Sequence, residues 1–284
     1  MTTPQASRGS ILAGNTDTGY LKLLALIFMI IDHSGKMLFP GIFEMRIIGR
    51  IAFPLYAWCL VAGSEYTRNI WRYALRIALV GLVAQPFYML GLDHNWNAFQ
   101  QALFVRGDLG AAFASFFASP NIFLTLLLGL LGIAAIKEKW FFSHLWGPVL
   151  AVVLGAVLHP DYSWQGVLFL LVLYGARKSR GGLFAAFLAY TLFWGTGNPV
   201  TSFFGWRLPL FDIPYVKEIA APFFRVQALA WLALPFILFP TGTRFKLPKA
   251  LGYAAYPGHL AILAVIVRWP ELSAWFSGLL GLAR

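Results

Sequence analysis

An aspartate and a histidine stand side by side near the end of an otherwise apolar run. Residues 20–31 carry one charged side chain, that of Lys22, and Asp32 and His33 then follow in the sequence MIIDHSGK. Ionisable groups inside a bilayer are costly, so such a pair indicates a function. A neutral imidazole suits general-base catalysis near pH 7 better than any other side chain. We therefore predict that His33 is a base that faces a cavity.

Two arginines are the predicted partners of Asp32. Adjacent helix positions point roughly 100° apart, so Asp32 is not expected to orient His33 directly. Arg46 and Arg50 lie in the sequence RIIGRIAFP, and their i, i+4 spacing places both on one helix face. We predict that Asp32 pairs with Arg50 or Arg46. The alternative is that both arginines extend to the outer surface of the membrane.

Three further polar residues occur in or beside later apolar runs. Asn121 lies in NIFLT, Asp161 in HPDYSW and His259 in YPGHL. Alternating helix directions would bring them into one polar layer with the pair above. As alternatives, Asp161 would be an ordinary loop acid, and His259 would satisfy the backbone that Pro257 and Gly258 interrupt.

Three arginines form a possible phosphate-binding stripe. Arg68, Arg72 and Arg76 are spaced i, i+4, i+8, so they share one helix face. Arginines arranged in this way suit the phosphates of a nucleotide-like donor such as coenzyme A. The tendency of basic residues to stay on the cytoplasmic side would also place arginines here.

The elements that must position these residues are membrane helices. Of 284 residues, 59% are hydrophobic and 12% are charged, against about a quarter charged in soluble domains. Apolar runs of about 15–20 residues recur and can cross a hydrocarbon layer of about 30 Å. We predict an all-α polytopic fold with about nine transmembrane helices, within a range of eight to ten. The predicted spans are residues 20–38, 47–63, 72–91, 121–136, 145–158, 163–176, 182–194, 223–239 and 251–268.

Two long connections interrupt these spans. The Phe-rich residues 97–119 are predicted to lie along the membrane surface or to dip into it. Residues 195–222 contain four prolines, which no regular helix sustains, and are predicted to form a surface or re-entrant loop on the periplasmic side. The predicted organisation is a flexible cytoplasmic N-terminus (1–19), one transmembrane domain (20–268) and a short amphipathic tail (269–284).

The distribution of basic residues predicts the orientation of the chain in the membrane. With the N-terminus inside, thirteen of the 22 Lys and Arg residues but three of the 11 Asp and Glu residues fall on the cytoplasmic side, as the positive-inside rule expects. The net charge of +11 is thus attributed to orientation, and no nucleic-acid partner is predicted. Cys59 is the single cysteine, which excludes an internal disulfide. We expect neither a metal site nor a cleaved signal peptide.

Sequence blocks along most of the chain resemble the TraX family of membrane proteins. They follow the family's order from about residue 20 to 265. They read LKLLALIFMIIDHSGKMLFPG, MRIIGRIAFPLYAW, EYTRNIWRYALR, NIFLTLLLGLLGI, DYSWQGVLFLLVLY, RVQALAWLALP and YAAYPGHLAIL. The resemblance implies an inner-membrane acetyltransferase with acetyl-CoA as the donor. The family's named member acetylates the N-terminal amine of a conjugative pilin subunit, and the family is a distant relative of transmembrane acyltransferases that acetylate glycans.

The resemblance also implies roles for individual residues. Coenzyme A would bind from the cytoplasm, and its thioester would enter a channel in the lipid-embedded protein to meet the acceptor near His33. Asn121, Arg50 or Tyr162 would stabilise the negative charge on the thioester oxygen. The implied site residues are His33 as base, Asp32 and Arg50 as its supporting motif, and Asn121, Asp161 and His259 from the later blocks.

Other functions stay open at this point. An O-acetyltransferase for a surface glycan or lipid would use the same residues, with stronger base catalysis because a hydroxyl is far less acidic than an ammonium group. A transporter or proton pathway would use the polar layer, but the repeats common in transporters are not evident. A passive scaffold for a pilus machine would leave Asp32 and His33 unexplained.

Overall fold

The protein is a mostly helical membrane protein. The computed structural model describes residues 12–93, 95–243 and 245–269. Within these residues, four helices are long and apolar enough to cross a membrane: Phe43–Tyr66, Ile70–Leu92, Trp140–Leu158 and Ala250–Val267. The predicted helical membrane class is confirmed at this level. The count of about nine spans goes beyond these four and stays a prediction.

Thirteen α-helices and one two-stranded hairpin make up the regular structure of the described residues, with short 3₁₀ and π turns between them. The helices are α1 (Thr18–Met37), α2 (Phe43–Gly49), α3 (Ala52–Tyr66), α4 (Ile70–Tyr88), α5 (Trp96–Gln100), α6 (Leu109–Phe116), α7 (Ile122–Glu138), α8 (Ser143–Leu158), α9 (Ser163–Ala176), α10 (Arg180–Trp194), α11 (Pro214–Ala220), α12 (Leu234–Leu238) and α13 (Lys249–Val267). The antiparallel strands are β1 (Ser202–Phe203) and β2 (Trp206–Arg207).

Helix α3 forms the centre of the core. It is apolar on every side, and a helix of that kind is buried all round. Leu55, Trp58 and Val61 have no exposed surface, and α1, α7 and α9 pack around them. The Trp58 indole nitrogen donates to the Asn15 carbonyl oxygen at 2.7 Å. The segment before α1 is thereby tied to the core.

A break in the α-helical hydrogen bonding at Arg50 separates α2 from α3 within the long helical stretch Phe43–Tyr66. Pro54 lacks an N–H group, and its ring crowds the carbonyl of the residue four positions earlier, which is Arg50. Arg50 and Ile51 keep right-handed helical angles, and their N–H groups donate to the carbonyl oxygens three residues earlier. Helix α2 then packs closely on α1, and a Cβ atom at Gly49 would collide with the side chain of Asp32. The break therefore places the end of α2 directly beside Asp32.

The eighth predicted span, residues 223–239, is not one helix throughout. Its apolar helical part is Ala228–Leu238, and the prediction is wrong for the residues before it. Arg225 is extended and forms an isolated bridge with Pro199. A 3₁₀ helix follows, and α12 has five residues. Pro235 stands at the start of α12, where it removes a donor that a continuous helix needs.

The two long connections contain short elements. Residues 97–119 form parts of α5 and α6 joined by a π turn, and Phe104 and Phe113 are 71% and 68% exposed. This exposure fits the predicted contact with the membrane surface. Residues 195–222 contain the hairpin and α11, which confirms that no long helix forms there.

The predicted flexible N-terminus, residues 1–19, is packed where the structure describes it. Asn15 is 1% exposed, and its backbone N–H donates to the Ile237 carbonyl oxygen at 2.6 Å. The prediction of flexibility is therefore wrong for residues 12–17, because this polar segment finds buried backbone partners. The rest of the segment before residue 12, and all but one residue of the predicted tail 269–284, lie outside the described residues.

A candidate active site at the end of a large cavity

A cavity of about 870 Å³, called the large cavity below, runs beside α1. Its wall includes Asp17 and Lys22 at the start of this helix, and Asp32 and His33 near its end. At 1.5 Å per residue, the distance from Asp17 to Asp32 is roughly 22 Å. The large cavity therefore connects both ends of the helix, and His33 stands at one of them.

Asp32 is held by both predicted arginines at once. Its Oδ2 lies 3.0 Å from Arg46 Nη1, and its Oδ1 lies 3.1 Å from Arg50 Nη2. Arg50 also donates to the Gln227 side-chain oxygen at 3.1 Å. The predicted pairing is confirmed, and the alternative in which both arginines extend to the surface is wrong. These bonds fix α1 against α2 next to His33.

His33 meets a second histidine, from α13. Nδ1 of His33 lies 2.6 Å from Nε2 of His259. The rings are nearly parallel, at 12°, and their centroids are 4.9 Å apart. The gap between the two nitrogens, together with the distance from each nitrogen to its own ring centre, makes up this centroid separation. The rings therefore meet edge to edge and not face to face. The structure thus brings together two site residues that are 226 positions apart in the chain.

The hydrogen-bond partners assign the protons of these two rings. The Ala255 carbonyl oxygen lies 2.8 Å from Nδ1 of His259 and can only accept, so Nδ1 carries the proton. A neutral His259 then has its lone pair at Nε2, which accepts the Nδ1–H of His33. The lone pair of a neutral His33 is consequently at Nε2. This nitrogen is the atom that a general base needs.

Sequence reasoning missed Tyr256, which lies beside both histidines. Its ring centroid is 6.1 Å from that of His33 and 5.4 Å from that of His259, edge-on in both cases. Its hydroxyl is buried without a hydrogen-bond partner among the described residues, and the side chain lines the large cavity. Since buried hydroxyls are nearly always bonded, this one is an exception beside the two histidines. The i, i+3 spacing of Tyr256 and His259 was the available signal.

Asp161 and Tyr162 belong to the walls of two cavities. They line the large cavity and a second one of about 430 Å³, the small cavity, whose wall includes Arg50 and Gln227. The backbone of Asp161 is fixed, because its carbonyl oxygen accepts from the Thr125 hydroxyl. The structure thus places Asp161 at the site and not in an ordinary surface loop.

Asn121 is a helix cap and not a cavity residue. Its Oδ1 accepts from the backbone N–H of Phe123 at 3.0 Å. Its amide nitrogen donates to the Gly81 carbonyl oxygen at 2.8 Å and to the Gln85 side-chain oxygen at 2.9 Å. Both amide hydrogens are thus engaged, and the residue lines neither cavity. The geometry favours a structural role that joins α7 to α4 over the predicted catalytic role.

The predicted arginine stripe does not reach the large cavity. Arg68, Arg72 and Arg76 are exposed and do not line it. The prediction of one shared helix face is wrong for Arg68, which lies in the connection before α4. For Arg72 and Arg76, helical spacing could not show which way their face points. Among the described residues, the basic side chains in the wall are Lys22 and Lys246.

Asp17 anchors the end of the large cavity that is remote from His33. It accepts from the hydroxyls of Thr241 and Thr243 and from the backbone N–H of Thr243. Burial alone would raise the pKa of Asp17, but the hydrogen bonds from Thr243 and Thr241 hold it below the usual value. These bonds fasten the segment that carries Lys246 to the start of α1.

The described residues offer little for a metal or a covalent carrier. Among the described residues, no group of three His, Cys, Asp or Glu side chains is placed to hold a metal ion. Cys59 is buried in the wall of the large cavity, with its sulfur 3.7 Å from the Thr18 carbonyl oxygen. A lone buried cysteine of this kind acts as a small apolar residue.

Comparison with known proteins gives a family and two relatives. The model of the family described as "TraX protein" matches residues 17–267. "Probable fimbrial assembly protein FimC, serogroup H1" of Dichelobacter nodosus is 32% identical over 169 residues, which are 56% of this chain and 64% of that protein. "Uncharacterized protein RP591" of Rickettsia prowazekii (strain Madrid E) is 43% identical over 67 residues, 24% of this chain and 25% of that protein. The matches thus span less than two thirds of either relative, and no solved structure matches the chain.

Proposed function

The chain belongs to the TraX family, and on this premise we propose that it is an acetyltransferase of the bacterial inner membrane. It transfers the acetyl group of cytoplasmic acetyl-CoA to the N-terminal amine of a pilin subunit on the periplasmic side. The observation that carries this proposal is the large cavity, which joins the Lys246 end of α1 to His33. The name of the fimbrial relative supports a pilin-related acceptor.

The donor enters at the end marked by Lys22 and Lys246. In the proposed topology of about nine spans with a cytoplasmic N-terminus, this end faces the cytoplasm. Lysine ammonium groups bind phosphates as point charges, so these two residues take the role expected of the arginine stripe. The thioester arm then extends along the wall formed in part by Tyr56 and Leu60 and reaches His33.

At the other end, His33 removes a proton from the acceptor. The amine nitrogen bonds to the thioester carbon while Nε2 of His33 takes its proton. The carbon–sulfur bond then breaks, and the proton leaves with the sulfur as the free thiol of coenzyme A. An N-terminal amine has a pKa of about 7.7–8.0, so a modest base suffices.

Negative charge develops on the thioester oxygen during this step and needs a hydrogen-bond donor. The Tyr256 hydroxyl is buried, unpartnered among the described residues, and next to His33. It therefore replaces Asn121 as the proposed donor. His259 keeps the proton of His33 on Nδ1, and the pairing of Asp32 with Arg46 and Arg50 holds α1 in place.

Labelled acetyl-CoA tests this function. The purified protein is incubated with the donor and with candidate acceptors, and mass spectrometry identifies the molecule and atom that gain the label. We expect the label on the N-terminal amine of a pilin-like peptide. Label on a glycan or lipid hydroxyl would replace the proposal with O-acetyl transfer. No label on any acceptor would contradict acetyl transfer itself.

A further inference from the structure

The large and small cavities share part of their walls. Among the described residues, Asp161 and Tyr162 are the two that line both. The Asp32–Arg50 ion pair crosses the same boundary, because Asp32 lines the large cavity and Arg50 lines the small one. The small cavity is therefore a second compartment, separated from the donor path by two residues and one ion pair.

Gln227 lines this compartment and carries an unused donor. Its side-chain oxygen accepts from Arg50 Nη1 at 3.1 Å, and since a guanidinium can only donate, this contact fixes which end of the amide is the oxygen. The Nε2 atom of Gln227 is buried and has no partner among the described residues. A buried amide donor without a partner is rare. The group suits a carbonyl oxygen of a bound molecule.

Asp161 offers a hydrogen-bond acceptor, whereas Gln227 offers a donor. Its carboxyl group lies close to the backbone N–H of Tyr162. In the described part of the chain, the ion pairs beside the two cavities are those of Asp32 with Arg46 and Arg50, and Asp161 takes part in neither. Nearby Arg50 is already engaged by Asp32 and Gln227. A carboxylate in this position suits an ammonium group.

The turn that carries Asp161 is held in a strained conformation. His159, Tyr162 and Ser163 have φ angles of 46°, 66° and 47°, in the left-handed region that residues with a side chain seldom adopt. The Tyr162 ring stacks on Phe53 at 4.3 Å, which keeps the turn in place. Strain that the surroundings maintain in this way is concentrated at binding sites.

We infer that the small cavity binds the acceptor as the free start of a polypeptide chain. The Asp161 carboxylate binds the ammonium group, and Gln227 donates to the first carbonyl oxygen. The ammonium releases one proton to water before the neutral amine attacks, and the second proton goes to His33 as described above. This inference rests on the proposed function and adds to it the place where the acceptor binds and the two side chains that hold it. A chain start carries an ammonium and a carbonyl on neighbouring atoms, whereas a lysine side chain, a glycan or a lipid hydroxyl does not.

Two amine acceptors distinguish the proposed Asp161 contact from the proposed Gln227 contact. The full chain in detergent is assayed with the tripeptide amide Ala-Ala-Ala and with propylamine, which lacks the carbonyl. Asp161→Asn keeps the size of the side chain and one of its oxygens, and removes the charge. Gln227→Glu keeps an oxygen for Arg50 and removes the donor. Asp212→Asn removes one carboxylate from an exposed ion pair outside both cavities and is the matched control.

The expected results are specific to the acceptor. Asp161→Asn raises the KM for the peptide by about tenfold or more, the loss of a charge-assisted hydrogen bond, and leaves the KM for acetyl-CoA unchanged. Gln227→Glu abolishes a several-fold preference for the peptide over propylamine. Asp212→Asn behaves like the unaltered chain. Unaltered peptide KM values in both cavity variants would overturn the inference while leaving the acetyltransferase intact.

Binding of the peptide gives a second measurement that needs no catalysis. We expect the tripeptide amide to raise the Tm of the unaltered chain and of Asp212→Asn but not of Asp161→Asn. If this pattern occurs without any acetyl transfer, the site stands and the proposed function falls. If the peptide shifts the Tm of no form, or of all forms equally, the inference is overturned.

Discussion

Nδ1 of His33 lies 2.6 Å from Nε2 of His259, and the two imidazoles meet edge to edge. The second ring is fixed in turn by the Ala255 carbonyl oxygen, 2.8 Å from Nδ1 of His259. A chain of hydrogen bonds therefore passes from the backbone of α13 to α1. It leaves the lone pair of His33 on Nε2. In the proposed reaction, His33 is the base and His259 is the residue that positions it.

Replacement of His259 tests whether this residue positions His33. His259→Leu removes the acceptor for the Nδ1–H of His33, so the tautomer is no longer fixed, and kcat should fall about 100-fold. His259→Gln offers an amide oxygen in its place and should retain most of the activity. Steady-state kinetics should show an unchanged KM for acetyl-CoA in both. Equal activity of the two variants would contradict the positioning role.

The Tyr256 hydroxyl should matter for rate and not for stability. Tyr256→Phe removes the proposed oxyanion donor, and kcat should fall about 100-fold. Because this hydroxyl is buried without a partner among the described residues, its removal should leave the Tm unchanged or higher.

Tyr190→Phe is the control for a tyrosine hydroxyl with a structural bond. The Tyr190 hydroxyl donates to the Gln165 carbonyl oxygen at 2.7 Å. Its loss should lower the free energy of unfolding by about 1 kcal/mol without a comparable loss of kcat. A Tyr256→Phe variant with full activity would contradict the assigned role of Tyr256.

Gly49→Ala tests whether the position of Asp32 matters, since it changes no charge. A Cβ atom at position 49 would collide with the Asp32 side chain and should displace the carboxylate from its arginines. Activity should then fall about as far as in Asp32→Asn, which leaves two arginines without their partner at a cost of about 3–5 kcal/mol.

Gly175→Ala is the matched control for this change. Nothing lies within 4 Å of a Cβ atom at that position, and alanine favours a helix by about 1 kcal/mol over glycine. This variant should keep full activity and an equal or higher Tm. Thermal unfolding and activity assays measure both effects, and a fully active Gly49→Ala variant would contradict the account.

The lysines of the large cavity should set the affinity for the donor. Lys22→Gln and Lys246→Gln remove positive charges that line the cavity, and each should raise the KM for acetyl-CoA several-fold, less at high salt. Arg72→Gln, at an exposed position outside the cavity, should leave this KM unchanged. The opposite pattern would restore the arginine stripe as the donor site.

Much of the local architecture could be predicted from sequence. The i, i+4 spacing of Arg46 and Arg50 and the buried charge of Asp32 were enough to predict their ion pair, because an intramembrane carboxylate needs a nearby partner. Long apolar runs were enough for most helices. For residues 223–239 the apolar run was not enough, because apolar composition does not show that the backbone is extended at Arg225.

The rest of the site depends on long-range packing. No spacing rule connects His33 to His259, and the pairing arises because α13 packs beside α1. The roles of Asn121 and Arg72 were predicted from position along a helix, which does not show whether a side chain faces a cavity or a neighbouring helix. The unpartnered hydroxyl of Tyr256 is likewise visible in three dimensions alone.

Transfer across a closed membrane tests the central claim most directly. The protein is placed in sealed vesicles with labelled acetyl-CoA on the side of the Lys246 end and a free-amine peptide on the other side. The account predicts that the peptide gains an acetyl group on its N-terminal amine with the unaltered chain and gains none with His33→Gln. Equal labelling by the two forms, or labelling only when donor and peptide share one side, would contradict it.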